Sequence, residues 1–150
     1  SDGVEVRGPN VFSGYWNRPE VDVFTPDGWF KTGDIGRFDE DGYLYLVGRA
    51  SDLIITGGYN VYPREVEDVI RDLPDIQDIA VVGVPDQTWG ELVIAFYVSS
   101  GPAPVDEVLA AELISDRLAP YKHPRRWIRM TELPRNAMGK VRRDLLREQG

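Results

Sequence analysis

Residues 53–67 read Leu-Ile-Ile-Thr-Gly-Gly-Tyr-Asn-Val-Tyr-Pro-Arg-Glu-Val-Glu. The apolar start of this stretch is typical of a short strand. Gly57 and Gly58 then predict a turn, because glycine adopts backbone angles that are closed to other residues. Pro63 suits the first position of a helix, and glutamates in the first turn complement the helix dipole. We therefore expect a strand, a glycine turn and a helix that ends at residues 73–74.

The sequence beyond this helix predicts more strands and helices. They are strands at 76–84 and 92–98, a helix at about 105–118, a strand at 125–130 and a short terminal helix at 140–148. The helix at 105–118 is expected to bury one face, formed by Ala110, Leu113, Ile114 and Leu118. The order strand, helix, strand, strand, helix, strand predicts a small α/β module of the α+β kind, with helices flanking a short sheet.

The first fifty residues have a different character. Residues 4–6 and 43–47 are predicted strands, and the stretch between them is rich in turn residues: Asn10, Gly14, Pro19, Pro26, Gly28 and Gly33. The turn-rich pattern ends at residues 48–52, just before the strand described above, and the pattern of strands and helices begins. We therefore expect a domain boundary near Ser51, which separates residues 1–50 from residues 51–150.

The composition is that of a globular chain rather than a linker or a membrane span. Hydrophobic residues make up 42% and charged residues 28%, and no apolar stretch is long enough to cross a bilayer. Cysteine is absent and His123 is the single histidine, which excludes a disulfide framework and a zinc centre built on cysteine. This composition suits a cytoplasmic protein. Residue 1 is a serine without a signal-peptide pattern, so we expect the chain to begin at an excision point.

The charge is unevenly distributed along the chain. The net charge of −8 argues against a general nucleic-acid binder. From Lys122 to Gly150, however, there are 9 Lys and Arg residues against 3 Asp and Glu residues. This predicts a basic segment on an acidic body, which is either a docking surface or an ordinary solvated face.

Five blocks of sequence follow one another along the chain. They are Gly-Pro-Asn-Val-Phe-Ser-Gly-Tyr-Trp at 8–16, Gly-Trp-Phe-Lys-Thr-Gly-Asp at 28–34, Gly-Tyr-Leu-Tyr-Leu-Val-Gly-Arg at 42–49, Gly-Gly-Tyr-Asn-Val-Tyr-Pro-Arg-Glu-Val-Glu at 57–67 and Pro-Arg-Asn-Ala-Met-Gly-Lys at 134–140. In this order they resemble the adenylate-forming ligase superfamily of acyl-CoA synthetases, adenylation domains and luciferases. Within it they look most like malonyl-CoA and other short-chain acyl-CoA synthetases.

The resemblance implies a fold and a reaction. Residues 1–50 would be the β-rich C-terminal end of a large adenylate-forming domain, and residues 51–150 a small mobile C-terminal domain. The whole enzyme would convert a carboxylic acid and ATP to acyl-AMP, and then pass the acyl group to CoA. The hinge of similar enzymes lies two positions after Arg49, where Asp or Lys is usual; here Ser51 is followed by Asp52, and the pivot stays open between them.

Two residues of the first fifty are candidates for nucleotide binding. The Asp34 carboxylate has two acceptor oxygens for the ribose hydroxyls, and the resemblance assigns it to the ATP ribose. Its alternative role is to cap the preceding turn. Arg49 has a planar charged fork that could pair with Asp34 or reach the ribose and α-phosphate oxygens. Its alternative is an ordinary surface ion pair.

The glycine turn is the candidate passage for a thiol. In similar enzymes this loop lines the pantetheine tunnel, and glycine allows another chain to approach closely. The residues assigned to the channel are Gly57, Gly58, Tyr59 and Asn60, with Tyr62 beside them. The alternative is a plain turn between strand and helix.

Lys140 is the candidate catalytic residue. It follows Gly139 in a polar, mobile-looking loop with Arg135, Arg142 and Arg143 nearby, and the resemblance assigns it to stabilising charge in the adenylation step. A solvated tail lysine is the alternative. In similar enzymes this lysine is acetylated by GNAT-type acetyltransferases and restored by sirtuin-type deacetylases. Lys140 is therefore also a predicted modification site, with the basic residues from Lys122 to Arg147 as part of the docking face.

Other parts expected of such an enzyme are not found in these residues. We find no phosphate-binding loop, acyl pocket or Mg²⁺-binding glutamate motif, so Mg²⁺ is expected to bind outside this chain and the chain alone to be inactive. The expected partners are a small carboxylic acid, ATP and CoA, with no nucleic acid and no membrane span. Two alternatives stay open: an adenylation module that loads a carrier protein, and an isolated domain that serves as an acetyltransferase substrate.

Overall fold

The computed structural model describes residues 2–15 and 22–150. The chain divides into two compact units, the first ending at Ser51 and the second running from Asp52 to Gly150. A short 3₁₀ helix, Ala50–Asp52, spans this division. Trp16 and Pro19, which belong to the first resembling block and to the predicted turn-rich stretch, lie outside the described residues.

The first unit contains a three-stranded antiparallel sheet in the order β1-β2-β3. Its strands are β1 (Asp2–Val6), β2 (Phe30–Phe38) and β3 (Leu44–Arg49). The prediction of turns and loops throughout 7–42 is wrong for β2, the central strand. A Cβ on Gly36 would lie 2.8 Å from side-chain atoms of both Val4 and Leu44. Glycine therefore belongs in this strand because both neighbouring strands crowd it, and such crowding is invisible in local sequence.

The second unit contains a five-stranded sheet. Its strands are β4 (Ile54–Thr56), β5 (Tyr59–Val61), β6 (Ile76–Asp86), β7 (Gly90–Ser99) and β8 (Arg126–Arg129). The hairpin of β4 and β5 joins the sheet where Thr56 pairs with Gly90 of β7. The long strands β6 and β7 are antiparallel, and β8 runs parallel to β7. The predicted α+β module is confirmed, with β5 as a strand that the sequence did not indicate.

The helices of the second unit are shorter than predicted. They are α1 (Pro63–Ile70), α2 (Glu107–Ile114) and α3 (Arg143–Arg147), with a 3₁₀ turn at Pro120–Lys122. Asp106 caps α2 by accepting hydrogen bonds from the backbone N–H groups of Val108 and Leu109. Lys140 precedes α3 rather than lying in it, which corrects the expected helix start. No helix in the described ranges is long and apolar enough to cross a bilayer.

The sheet of the second unit is buried on both faces. Alternate residues of β6 and β7 point to opposite sides, so Val81 and Val93 belong to one core cluster, and Val82 and Ile94 to the other. The first cluster includes residues of α1 and α2, and the second includes Leu146 of α3. Burial on both faces explains why β6 and β7 read as continuous apolar runs.

One detail of the predicted core is wrong. Ala110, Ile114 and Leu118 are buried as expected, whereas Leu113 is 50% exposed. The described helix ends at Ile114, so Leu118 enters the core from the turn that follows and not from one continuous helical face.

Candidate functional site

Asp34 and Arg49 form a cross-strand pair in the first unit. They are register partners of β2 and β3, and Arg49 Nε lies 2.9 Å from Asp34 Oδ1. Arg49 Nη1 also donates to the carbonyl oxygen of Thr32 at 2.8 Å. No backbone N–H of the described residues donates to the Asp34 carboxylate, so the turn-capping alternative gains no support. The pair leaves Asp34 Oδ2 without a hydrogen-bond partner in this part of the chain, as an available acceptor.

Gly57 and Gly58 are the two central residues of the β4–β5 hairpin. Their φ angles are 56° and 81°, a conformation that favours glycine and suits a tight two-residue turn. The turn therefore joins two strands, and the expected direct passage from strand to helix is corrected. The two glycines differ in their surroundings. A Cβ on Gly57 would lie 3.1 Å from the Trp89 ring, whereas one on Gly58 would meet nothing within 4 Å.

Aromatic and basic side chains surround the glycine turn. The N–H of Gly57 donates to the carbonyl oxygen of Trp89 at 2.8 Å, and Arg125 lies over the Trp89 ring at 3.9 Å. Tyr59 is 57% exposed and stacks on Tyr121 with ring centroids 4.5 Å apart. Trp89, Tyr121 and Arg125 were missed by sequence reasoning, because they come from segments far away in the chain: the β6–β7 turn, the 3₁₀ turn and the residue before β8.

Two further residues assigned to the channel, Asn60 and Tyr62, have no described side-chain contact with the glycine turn. Asn60 is exposed and pairs in register with Ile55 across the hairpin. Tyr62 is half-buried and is the residue preceding α1. Both lie next to the glycine turn in sequence, but no described contact connects either side chain to it.

Lys140 closes a hydrogen-bonded turn. Its backbone nitrogen donates to Asn136 Oδ1 at 2.9 Å, and its carbonyl oxygen accepts from the Asn136 nitrogen at 2.8 Å. Arg135 pairs with Val141 in an isolated bridge at the base of the turn. The polar loop expected here is therefore a hydrogen-bonded turn. The Lys140 side chain is exposed and has no ion-pair partner among residues 2–15 and 22–150.

Most basic side chains between Lys122 and Arg147 have partners within the second unit. The partners are Glu65 for Lys122, the Trp89 ring for Arg125, backbone carbonyls for Arg129, Asp78 for Arg135, Asp144 for Arg142, and Glu67 and Asp52 for Arg143. Within the described ranges only Arg126, Lys140 and Arg147 have no such contact. The segment is basic in sequence, but most of its charge is engaged locally.

Arg143 is part of a largely buried charge network. Its Nη2 lies 2.8 Å from Glu67 Oε1, and its Nε lies 3.4 Å from Asp52 Oδ2. Glu67 Oε1 also accepts from the backbone N–H of Val81 at 2.8 Å. Burial raises the pKa of Glu67 above its ordinary value, and the neighbouring Arg143 charge partly opposes this. Sequence reasoning noted Arg143 only as a neighbour of Lys140.

The two candidate loops of the second unit flank opposite faces of its sheet. Val61, at the end of the glycine hairpin, is fully buried in the first core cluster. Val141, next to Lys140, packs against the second cluster. The glycine turn and the lysine turn are therefore anchored on different sides of one sheet.

The described residues contain no group of three or more His, Cys, Asp or Glu side chains arranged to hold a metal ion. The acceptor at Asp34 and the cation at Lys140 are instead suited to an organic ligand with hydroxyls and to an anion, respectively.

Comparison with known proteins gives a family match. A family model described as "AMP-binding enzyme C-terminal domain" matches residues 65–140. The chain is 44% identical over 146 residues to an indoleacetate–CoA ligase from Aromatoleum aromaticum, covering 97% of this chain and 29% of that protein. It is 49% identical over 146 residues to a 2-succinylbenzoate–CoA ligase from Geobacillus kaustophilus, covering 96% of this chain and 30% of that protein.

The fold also matches solved structures. The ATP-bound crystal structure of MatB from Rhodopseudomonas palustris has a TM-score of 0.86 and 46% sequence identity, covering 97% of this chain and 29% of that one. The chain thus spans less than a third of the length of the proteins it matches.

Proposed function

The chain belongs to the family of AMP-binding enzyme C-terminal domains, and on that premise we propose that it is part of an acyl-CoA ligase that activates a carboxylic acid with ATP. The observation that carries the proposal is the exposed, unpaired side chain of Lys140 on an ordered turn. An ammonium group presented in this way can meet an anionic ligand without first giving up a protein partner. The CoA ligases among the relatives support the reaction class.

In the first step, a carboxylate oxygen of the acid attacks the α-phosphorus of ATP. The bond to the bridging oxygen breaks, pyrophosphate leaves and acyl-AMP forms. Negative charge develops on the phosphoryl oxygens during this exchange, and the Lys140 ammonium stabilises it. Asn136 contributes indirectly, because its side-chain oxygen fixes the backbone of Lys140.

Asp34 and Arg49 are assigned to the nucleotide. Oδ2 of Asp34 accepts from a ribose hydroxyl, while Arg49 holds Oδ1 at 2.9 Å and keeps the carboxylate oriented. A hydrogen bond to a carboxylate is shorter and stronger than one to a neutral acceptor.

In the second step, a thiol attacks the carbonyl carbon of acyl-AMP, and AMP leaves as the thioester forms. The glycine turn admits the thiol-bearing arm. Gly58 supports this role because the space beside its Cα is open. Gly57 supports it because its φ of 56° favours glycine and a Cβ there would crowd the Trp89 ring at 3.1 Å.

Residues 1–50 then correspond to the end of a large domain and residues 51–150 to a small mobile one, with Ser51 and Asp52 as the hinge. Anchoring of the lysine and glycine turns on opposite faces of one sheet supports a division of labour, in which each turn serves one step.

The acid itself is proposed on resemblance alone. The five sequence blocks favour a malonyl-type or other short-chain acid, while two relatives are named for indoleacetate and 2-succinylbenzoate. Mg²⁺ would accompany ATP and bind residues beyond this chain.

Lys140 is also proposed as a site of regulatory acetylation by a GNAT-type enzyme, reversed by a sirtuin-type deacetylase. Acetylation removes the positive charge that adenylation requires. Exposure of Lys140 and the 80% exposure of Met138 in the same turn support access by a modifying enzyme. Since most other basic side chains are engaged, the charge available for docking comes chiefly from Arg126, Lys140 and Arg147.

The acetylation proposal is tested by incubating the protein with such an enzyme and acetyl-CoA, and mapping the acetylated lysine by mass spectrometry. Acetylation confined to Lys31 or Lys122 would contradict it.

The proposed reaction is tested on the full-length enzyme that contains this chain. It would be incubated with ATP, Mg²⁺ and a panel of short-chain, aromatic and long-chain acids, and acyl-AMP would be detected by mass spectrometry. CoA and a phosphopantetheinylated carrier protein would then be offered as separate thiol acceptors. Acyl-CoA as the product supports the proposal, transfer to carrier protein alone supports an adenylation module, and the absence of acyl-AMP with every acid contradicts both.

A further inference from the structure

Arg143 connects three parts of the second unit that are distant in sequence. It is the first residue of α3 and lies three positions after Lys140. Its guanidinium reaches Glu67 on α1 at 2.8 Å and Asp52, the first residue of the unit, at 3.4 Å. One side chain therefore joins the helix after the lysine turn to α1 and to the segment that follows Ser51.

The burial of this network indicates that Arg143 fixes the orientation of α3 relative to α1 and Asp52. Glu67 is 6% exposed and the Arg143 side chain 22% exposed. Buried ion pairs add little net stability, because desolvation offsets their attraction, but they do fix geometry. Arg143 Nη1 is buried without a hydrogen-bond partner among the described residues, which is itself unfavourable. Uncharged residues at both Arg143 and Glu67 would avoid these penalties.

We infer that Arg143 is a positioning residue for Lys140. It holds α3, and with it the end of the lysine turn, in a fixed orientation relative to Asp52 and α1. Asn136 holds the turn from the other side through the Lys140 nitrogen. This inference rests on the proposed role of Lys140 in adenylation, and it adds a residue that does not itself touch the reacting atoms.

The glycine turn is held by contacts outside this network. Gly57 is held by the carbonyl oxygen of Trp89, and β4 is held by β5 and β7. Loss of Arg143 should therefore affect adenylation much more than thioester formation. A purely structural role, in which Arg143 only neutralises Glu67, would affect both steps to the same extent.

The test uses the full-length enzyme and the two half-reactions measured separately. The main variant is Glu67→Gln/Arg143→Met, which leaves no uncompensated buried charge and keeps an acceptor for the Val81 N–H. Its adenylation kcat should fall about tenfold or more, because a small misplacement of a catalytic group is costly. Its KM for ATP and its rate of thioester formation from supplied acyl-AMP should stay within about twofold. Arg142→Met is the matched control, since within residues 2–15 and 22–150 the Arg142 side chain forms an ion pair only with the exposed Asp144, and it should leave both rates unchanged.

Two further variants make each outcome decisive. Glu67→Gln alone removes the charge of the partner at 2.8 Å and keeps an acceptor for Arg143, so it should show the same selective loss to a smaller extent even if the double variant does not fold. Lys140→Ala in the same assay checks the premise, because normal adenylation by that variant would refute the proposed role of Lys140 in adenylation. With the premise intact, equal losses in the two half-reactions, or normal adenylation by the folded double variant, would overturn the positioning role.

Discussion

Asn136 Oδ1 accepts a hydrogen bond from the backbone nitrogen of Lys140 at 2.9 Å and a second one from that of Met138 at 3.0 Å. One asparagine side chain therefore organises the turn that presents the proposed catalytic lysine. This arrangement is an Asx-type turn, in which a short polar side chain replaces a backbone partner.

Asn136→Ala should consequently slow adenylation by the full-length enzyme, by about tenfold, because the Lys140 backbone loses its anchor. Thioester formation from supplied acyl-AMP should be nearly unchanged. Met138→Ala, in the same turn and with its side chain 80% exposed, is the control and should match the wild type. If Asn136→Ala and Met138→Ala behave alike, the anchoring role of Asn136 is wrong.

Asp34→Asn should raise the KM for ATP in the adenylation step, because the ionised acceptor for a ribose hydroxyl is lost. A charge-assisted hydrogen bond contributes about 1.5–3 kcal/mol, which corresponds to an increase of roughly tenfold to a hundredfold. Asp41→Asn is the control, since Asp41 lies on the turn between β2 and β3 and is exposed. A normal KM for ATP in the Asp34 variant would remove this residue from the nucleotide site.

Gly58→Leu should slow thioester formation while largely sparing adenylation, because the added side chain enters the space proposed for the thiol arm. Leucine at a φ of 81° also strains the turn, so a control with equal strain is needed. Gly42 provides it, because its φ is 84° and a Cβ added there would meet nothing within 4 Å. Should Gly42→Leu produce the same selective loss, the effect would come from backbone strain and not from obstruction.

The pH dependence of stability should reveal the buried carboxyl of Glu67. Its pKa is raised, so between its ordinary value of 4.5 and the higher folded value the folded chain binds more protons than the unfolded chain. The free energy of unfolding contributed by this group should therefore fall as the pH rises above 4.5. Glu67→Gln should remove that fall in urea-unfolding measurements. A wild-type curve parallel to that of the variant would contradict the assignment.

For Asp144, the free energy of unfolding should change with pH in the opposite direction to that for Glu67, in the same urea-unfolding measurements. Its hydrogen bond with Arg142 lowers the pKa of Asp144 to about 2. The contribution of this exposed pair is present above the ordinary value of 3.8 and is lost as the pH falls toward 2. Asp144→Asn should therefore lower the free energy of unfolding by a constant amount above pH 3.8, and its difference from the wild type should vanish as the pH falls toward 2.

The fold and the site differ in how far sequence predicts them. The apolar runs of β6 and β7 are readable because both faces of these strands are buried, and α1 because Pro63 marks its start. The strand β2 is not readable, since its charged and glycine residues resemble a loop until β1 and β3 pair with it.

At the site, motifs identify residues that are close in sequence, and tertiary pairing supplies the others. Asp34 and Arg49 were both expected near the nucleotide, and their adjacency follows from β2–β3 register. Trp89 beside Gly57 and Arg143 beside Asp52 carry no local sequence signal, because each contact joins segments that are far apart in the chain.

The sharpest test of the role of Lys140 in adenylation is ATP–pyrophosphate exchange by the Lys140→Ala variant of the full-length enzyme. Exchange should fall roughly 10²-fold or more, while thioester formation from supplied acyl-AMP and CoA stays close to the wild-type rate. Lys31→Ala, which removes an exposed lysine of the first unit, should leave both rates unchanged. Equal loss of the two half-reactions in the Lys140 variant, or normal exchange, would contradict this role.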